Sequence, residues 1–76
     1  MEQAVIIDAI RSPIGRSKAG GALTEVHPVD LLAQLLKGLI ERNNLDPALV
    51  DDVITGCVSQ SGEQSGTPGR YAWLAA

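Results

Sequence analysis

The sequence has very little cysteine or histidine, with one of each among 76 residues. A single cysteine cannot form a disulfide within the chain, and the two residues fall short of the four ligands that a structural zinc site requires. We therefore predict no metal site. Below about 70–80 residues, a single core seldom supplies more than about 3–5 kcal/mol of net stability. The chain is thus expected to oligomerise or to form part of something larger.

Positive charge and long apolar runs are also scarce. The formal net charge is −3, which argues against non-specific nucleic-acid binding, because that binding requires a basic face. No apolar run approaches the roughly 18–20 residues that span a membrane. Residues 1–3 lack the basic and apolar features of a signal peptide. Together with the lone cysteine, these features predict a cytoplasmic protein without a membrane span.

The apolar residues, which make up 45% of the sequence, follow two different spacings in the first half of the chain. Residues 4–10 form a short run rich in β-branched side chains, which is typical of a strand buried on both faces. Residues 28–43 show apolar side chains at three- and four-residue spacing, which predicts a helix with one apolar stripe. Pro28 suits the first position of that helix, and Asn43 ends it.

The second half of the chain repeats the order of strand and helix. Asp46 and Pro47 predict a single helical turn with Asp46 as its N-cap. Residues 53–58 predict a second strand, in which Gly56 indicates a bulge or the close approach of another backbone. Residues 67–76 predict a last helix, because they open with a cap-plus-proline pair.

This order of strand, helix, strand and helix predicts an α/β fold. The long connection between the strands is a crossover, so the strands should be parallel neighbours in one mixed, mainly parallel sheet with right-handed topology. Two strands alone cannot form a sheet that is buried on both faces. Residues 1–76 are therefore expected to be part of a domain rather than a complete domain.

Few residues are candidates for chemistry. The glycine-rich segments 15–21 and 62–69 fit neither the P-loop nor the dinucleotide-binding template. Cys57, the only thiol, lies in an apolar predicted strand, so we interpret it as a small buried side chain rather than a nucleophile. His27, the only imidazole, directly precedes Pro28, which favours a loop or capping role over catalysis.

The basic and aromatic residues have two interpretations each. Arg11, Arg16 and Lys18 follow the first predicted strand, at the edge where open α/β sheets bind ligands, so contact with an anionic substrate is conceivable. We favour solvated loop charge, with Arg11 holding a carboxylate or loop carbonyls. Tyr71 and Trp73 could form an aromatic platform, but on an alanine-rich helix such residues more often pack in a core or an interface.

Two stretches of the sequence are similar to the thiolase family. Residues 4–16, AVIIDAIRSPIGR, resemble its N-terminal signature, a strand ending in D-A-x-R-T/S-P-I/F-G-K/R. Residues 50–60, VDDVITGCVSQ, and then 66–70, GTPGR, resemble the family's second strand and helix. The helix between them has the matching position and length, so the resemblance covers essentially the whole chain. Many biosynthetic thiolases carry Asn in place of Cys57, and the sequence around it is closer to bacterial degradative thiolases acting on lipid or steroid side chains.

The resemblance implies that residues 1–76 are the first part of the N-terminal domain of a thiolase-like layered fold. It also implies acyl transfer, in which a cysteine takes up the acyl group as a thioester, a second cysteine and a histidine move protons, and an oxyanion hole stabilises negative charge. The nucleophile lies in a C-G-S/A-G motif that these 76 residues do not contain. We therefore assign no catalytic residue to this chain, and the residues that bind a cofactor remain unknown.

The resemblance further implies what the protein binds. Coenzyme A thioesters would be substrates, with no cofactor bound permanently. The rest of its own chain would be a partner, in a homodimer or homotetramer, and the loop over residues 60–66 would lie near the dimer interface. Two alternatives stay open: a free-standing α/β interaction module that adds strands to a partner's sheet, and a non-catalytic thiolase-like scaffold subunit. The residues that follow Ala76 would distinguish the three.

Overall fold

One long helix, α1, is the central element of the fold. In the computed structural model, which describes residues 3–15 and 20–76, α1 spans Pro28–Arg42. Proline occupies its first turn, where the missing N–H costs nothing. At the other end, the Asn43 backbone N–H donates to the Leu39 carbonyl and the Asn44 backbone N–H donates to the Glu41 carbonyl, both at 3.2 Å, which closes the last turn. The helix predicted over residues 28–43 is therefore confirmed to within one residue.

Short helical turns and a second helix follow α1. Two turns of 3-10 helix span Pro47–Leu49 and Gly62–Gln64, and α2 spans Pro68–Ala75. The predicted cap at Asp46 is confirmed, because its carboxylate accepts the Ala48 backbone N–H at 3.0 Å. Thr67 precedes α2 but does not cap it with its side chain. It has φ 55°, and its hydroxyl instead donates to the Gly66 carbonyl at 2.7 Å.

The predicted α/β fold is wrong for this structure, which is helical. Across residues 3–15 and 20–76 there is no β-strand. The segments over residues 4–10 and 53–58, named the first and second extended segments for the structure predicted there, are without regular secondary structure, and so the parallel sheet and its crossover topology are absent from the described residues. The physical reason is that two strands alone are at best marginally stable and that a parallel sheet needs cover on both faces, which two segments cannot give each other. Accordingly, Ile6 and Ile54 are 91% and 92% exposed.

The small core lies where α1 and α2 pack against each other. Each helix contributes one buried alanine, Ala33 from α1 and Ala72 from α2. Small side chains at a helix contact allow the two axes to approach closely. The predicted apolar stripe of α1, Leu36 included, is only half-buried along its length. The stripe therefore has more apolar surface than α2 covers.

Gly69 in α2 sets the distance between this helix and the second extended segment. A Cβ added to Gly69 would lie 2.7 Å from the Cβ of Thr55, closer than the 3.0 Å below which real Cβ atoms essentially never come. Gly56 shows the opposite, because a Cβ added there would meet no atom within 4 Å. The bulge or close backbone approach predicted at Gly56 is therefore wrong, and the close approach that the structure shows is at Gly69, to the Thr55 side chain.

Candidate functional site

The most connected polar group in the described part of the chain is the Asp8 carboxylate. One of its oxygens, Oδ2, accepts from the Asn43 side-chain amide at 2.9 Å and lies 3.3 Å from Nε of Arg42. The other, Oδ1, accepts the backbone N–H of Ala9 at 2.8 Å. The Asn43 amide also donates to the Leu39 carbonyl at 2.9 Å. This cluster ties the first extended segment to the C-terminal end of α1.

These contacts favour the ionised form of Asp8. The hydrogen bond from Asn43, then the one from the Ala9 backbone and finally the charge of Arg42 hold the pKa of Asp8 below its ordinary value of 3.8, against partial removal from water, which raises it. The side chain of Asp8 is 16% exposed and that of Arg42 is 64% exposed. The arrangement is therefore a positional anchor.

The role of Asp8 was not predicted from the sequence. The signal available was a lone carboxylate inside an apolar run, because such a charge requires a partner when it leaves water. A basic residue and an amide, Arg42 and Asn43, stood at the end of the predicted helix as candidate partners. Spacing along the chain could not show that this helix end would meet Asp8.

Of the predicted basic cluster, Arg11 is the residue that the structure describes. Its guanidinium donates to the Ser12 carbonyl at 3.2 Å, in agreement with the interpretation that it holds loop carbonyls. It also borders a cavity of about 380 Å³ between the first segment and the start of α1, together with Leu23, Val26 and Leu31. Arg16 and Lys18 lie outside the described residues, so a joint anion site is not tested.

His27 stands at the N-terminus of α1 and caps it. Its Nδ1 accepts the backbone N–H of Val29 at 3.1 Å, and its carbonyl accepts the backbone N–H of Leu31 at 3.0 Å. The predicted capping role is thus confirmed. The ring nitrogen nearest the backbone is occupied by the helix, which leaves only Nε2 free for other contacts.

Cys57 is half-buried in the second extended segment. Its thiol donates to the carbonyl of Ser59, with 3.6 Å between Sγ and oxygen, and the same carbonyl accepts from the Gln64 side chain at 2.7 Å. A nucleophilic thiol is normally activated by a base, a cation or a helix N-terminus. The partner seen at Cys57 is a neutral carbonyl, so the geometry assembles no nucleophile–base pair at this thiol.

The two aromatic residues of α2 differ in their burial. Trp73 is half-buried and lies beside Ile40 of α1, whereas Tyr71 is 55% exposed. Trp73 also borders an open groove of about 580 Å³, whose other walls come from residues 5–8, the C-terminal half of α1 and residues 50–53. Packing by Trp73 agrees with the favoured interpretation. The groove is mainly apolar, and its polar lining residues are Asp8, Asn43 and Asp52.

Two searches of the described residues gave negative results. No group of three or more His, Cys, Asp or Glu side chains is placed to share a metal ion within residues 3–15 and 20–76. Within the same residues, neither helix combines the length and apolar character needed to cross a membrane.

The comparison with protein families decides what kind of chain this is. Residues 4–76 match the family model described as the N-terminal domain of thiolase. The chain belongs to the thiolase family. This confirms the resemblance found in residues 4–16 and 50–70. No solved structure gives a significant match to the structure of this chain.

Named thiolases are similar to the whole of this thiolase-family chain. A Mycobacterium tuberculosis protein named steroid 3-ketoacyl-CoA thiolase FadA6 is 53% identical over 76 residues, which cover 100% of this chain and 18% of that protein. A Shewanella baltica protein named 3-ketoacyl-CoA thiolase is 53% identical over 77 residues, covering 100% of this chain and 20% of its own length. An Erwinia tasmaniensis protein of the same name is 51% identical with the same coverage. The chain thus spans about a fifth of the length of these relatives.

Proposed function

We propose that the protein containing this chain is a thiolase, an acyltransferase that cleaves 3-ketoacyl-CoA with coenzyme A or runs the reverse condensation. The observation that carries the proposal is the match of residues 4–76 to the thiolase N-terminal domain. It is supported by identities of 51–53% to proteins named 3-ketoacyl-CoA thiolase. Such identity along the whole chain makes a different type of reaction a poorer explanation than the one that the relatives' names give.

In this proposal, residues 1–76 form the first part of the N-terminal domain and supply framework rather than chemistry. The imidazole of His27 is engaged at the start of α1, and the thiol of Cys57 is engaged by a carbonyl. The cysteine nucleophile would come from a part of the protein outside these residues. Its thiolate would attack the 3-keto carbonyl, the carbon–carbon bond would break with acetyl-CoA leaving, and coenzyme A would then take the acyl group.

The substrate class in this proposal is 3-ketoacyl-CoA, and these 76 residues do not identify which acyl chain or steroid side chain is preferred. A relative named for steroid substrates and relatives named without them share the same 53% identity with this chain. The sequence of these 76 residues therefore does not distinguish steroid substrates from other 3-ketoacyl-CoA substrates. Coenzyme A thioesters act as substrates in this proposal and are not held as permanent cofactors.

Assembly and location complete the proposal. Several large apolar side chains are exposed on this part of the chain, among them Ile6, Ile54 and Val58. Apolar surface of this kind is normally covered by other protein. We therefore propose that it is covered by the rest of the polypeptide within a homodimer or homotetramer. A cytoplasmic location is supported by the single free thiol, since disulfides are rare in that compartment.

The test uses the purified full-length protein. Acetoacetyl-CoA, a long-chain 3-ketoacyl-CoA and a steroid side-chain 3-ketoacyl-CoA are each incubated with coenzyme A, and loss of the 3-ketoacyl thioester is followed. Thiolysis of at least one substrate, with acetyl-CoA as product, supports the proposal. A folded protein that cleaves none of the three, and forms no acyl-enzyme, would contradict it and favour the scaffold alternative. Light scattering on the same sample tests the oligomeric state.

A further inference from the structure

A cavity of about 380 Å³ lies between residues 11–13 and the first half of α1, and the turn that precedes α1 forms a third wall. Its lining includes the apolar side chains of Leu23, Val26, Leu31 and Leu35 and the polar side chains of Arg11 and Gln34. Pockets for small molecules commonly have volumes of about 300–1,000 Å³ and combine many apolar side chains with a few polar ones. This cavity therefore has the size and composition of a site for a small organic ligand.

The wall that carries Leu23 is held in place by contacts of its own. The Thr24 backbone N–H and hydroxyl both donate to the Gly21 carbonyl, at 3.1 and 2.7 Å. The Val26 backbone N–H donates to the Leu23 carbonyl at 3.1 Å. A Cβ added to Gly15 would lie 3.1 Å from the Cβ of Leu23, so the chain at Gly15 already packs tightly against this side chain. Because the wall is ordered without a ligand, binding requires little further ordering, which favours affinity.

Arg11 is the charged side chain that lines this cavity within the described residues. Its guanidinium has several N–H donors, and one nitrogen, Nη1, donates to the Ser12 carbonyl at 3.2 Å. The ion pair found in residues 3–15 and 20–76 joins Asp8 to Arg42 and does not involve Arg11. The side chain of Arg11 is exposed and therefore keeps donors for a further acceptor. Guanidinium donors match the two oxygens of a carboxylate.

We propose that this cavity binds a small carboxylate with an apolar chain, with the carboxylate against Arg11 and the chain against the leucine side chains. A single positive charge matches the single negative charge of a carboxylate better than it matches a doubly charged phosphate. At about 30 Å³ for each water-sized unit, the cavity holds about twelve such units, which suits a chain of the length of octanoate. This inference does not depend on the proposed thiolase activity.

The experiment titrates octanoate into the full-length protein by calorimetry, with inorganic phosphate and octan-1-ol as probes of the charge alone and of the chain alone. Arg11→Met removes the charge and keeps an unbranched apolar side chain. Arg70→Met is the matched control, since Arg70 is also exposed but does not line this cavity. Hydrogen–deuterium exchange over residues 23–35 locates the bound octanoate, and thermal unfolding shows whether each variant is folded.

We expect octanoate to bind and to slow exchange over residues 23–35. Arg11→Met should weaken that binding by about fivefold, the effect of an exposed ion pair, whereas Arg70→Met should leave it unchanged. Octan-1-ol should bind the Arg11→Met variant and the unmodified protein alike, and phosphate should not compete with octanoate.

The proposal is overturned if octanoate does not bind, if it protects other residues instead, or if phosphate competes for it. It is also overturned if Arg11→Met binds octanoate as tightly as the unmodified protein does. If Arg11→Met does not fold, Arg11→Lys takes its place, because lysine keeps the charge but lacks the planar fork of the guanidinium. Arg11→Lys should bind octanoate less tightly than the unmodified protein, and equal affinity would again overturn the proposal.

Discussion

Helix α2 comes close to Thr55 at Gly69. We therefore predict that replacing glycine by alanine has opposite effects on stability at Gly69 and at Gly38. In Gly69→Ala, the new methyl group would lie 2.7 Å from the Cβ of Thr55. Rotation about χ1 cannot move that atom away, because Cβ is fixed to the backbone. Either α2 or the second extended segment must therefore shift.

The magnitude follows from two opposing terms. Overpacking costs about 1–3 kcal/mol, and replacing glycine by alanine within a helix gains up to about 1 kcal/mol. Gly69→Ala should therefore be destabilising by up to about 2 kcal/mol in net terms. The matched control is Gly38→Ala in α1, where the new methyl group would meet Cδ1 of Ile10 at 3.7 Å, an ordinary contact. That variant should be neutral or stabilised by up to about 1 kcal/mol.

The assay is the change in unfolding temperature of the two variants in the full-length protein, with hydrogen exchange of α2 as a local measurement. Thr55→Gly removes the opposing Cβ, so the double variant Thr55→Gly/Gly69→Ala should lose less than the sum of its single changes. If Gly69→Ala unfolds at the same temperature as Gly38→Ala or higher, the close approach does not constrain the protein and the reasoning fails.

Three further predictions concern single side chains in the full-length protein. Asp8→Ala should lower the unfolding temperature near neutral pH. Because the folded pKa of Asp8 lies below 3.8, the difference in unfolding temperature between the two proteins should disappear as the pH falls through that folded pKa. An acid titration of both proteins that shows a constant difference would contradict this. Asp46→Ala removes the 3.0 Å bond to the Ala48 N–H and should cost about 0.5–2 kcal/mol by denaturant unfolding, whereas Asp46→Ser should cost less. Cys57→Ser should leave acyl transfer largely intact, and a folded variant that forms no acyl-enzyme would show that Cys57 is the nucleophile.

The features predicted correctly from the sequence depend on neighbours within a few residues. The bounds of α1 follow from Pro28, the leucine spacing and Asn43, and the turn after it follows from Asp46 and Pro47. All of these are local caps and periodicities, which act within one or two turns of helix. The capping role of His27 was predictable for the same reason.

The features that were missed depend on contacts between distant parts of the chain. A β-branched run favours an extended backbone, but a ladder forms only when another strand lies alongside it. Residues 4–10 and 53–58 have this local preference in their sequence, but they form no ladder in the structure. The anchor from Asp8 to Asn43 and the approach of Gly69 to Thr55 join residues far apart in the sequence. Nothing in the spacing of these residues specifies that they meet.

The anchoring of Asp8 also affects how residues 4–10 behave towards other copies of the chain. Asp8 is the only charged residue in that run, and charges within apolar β-prone segments normally act as gatekeepers against aggregation. Here the carboxylate is turned towards Arg42 and Asn43, while Ile6 and Ile7 remain 91% and 82% exposed. Residues 4–10 thus expose apolar side chains, while the charge of Asp8 is paired with Arg42 and no longer opposes aggregation. The resistance of the protein to aggregation at high concentration therefore depends on other protein covering residues 4–10.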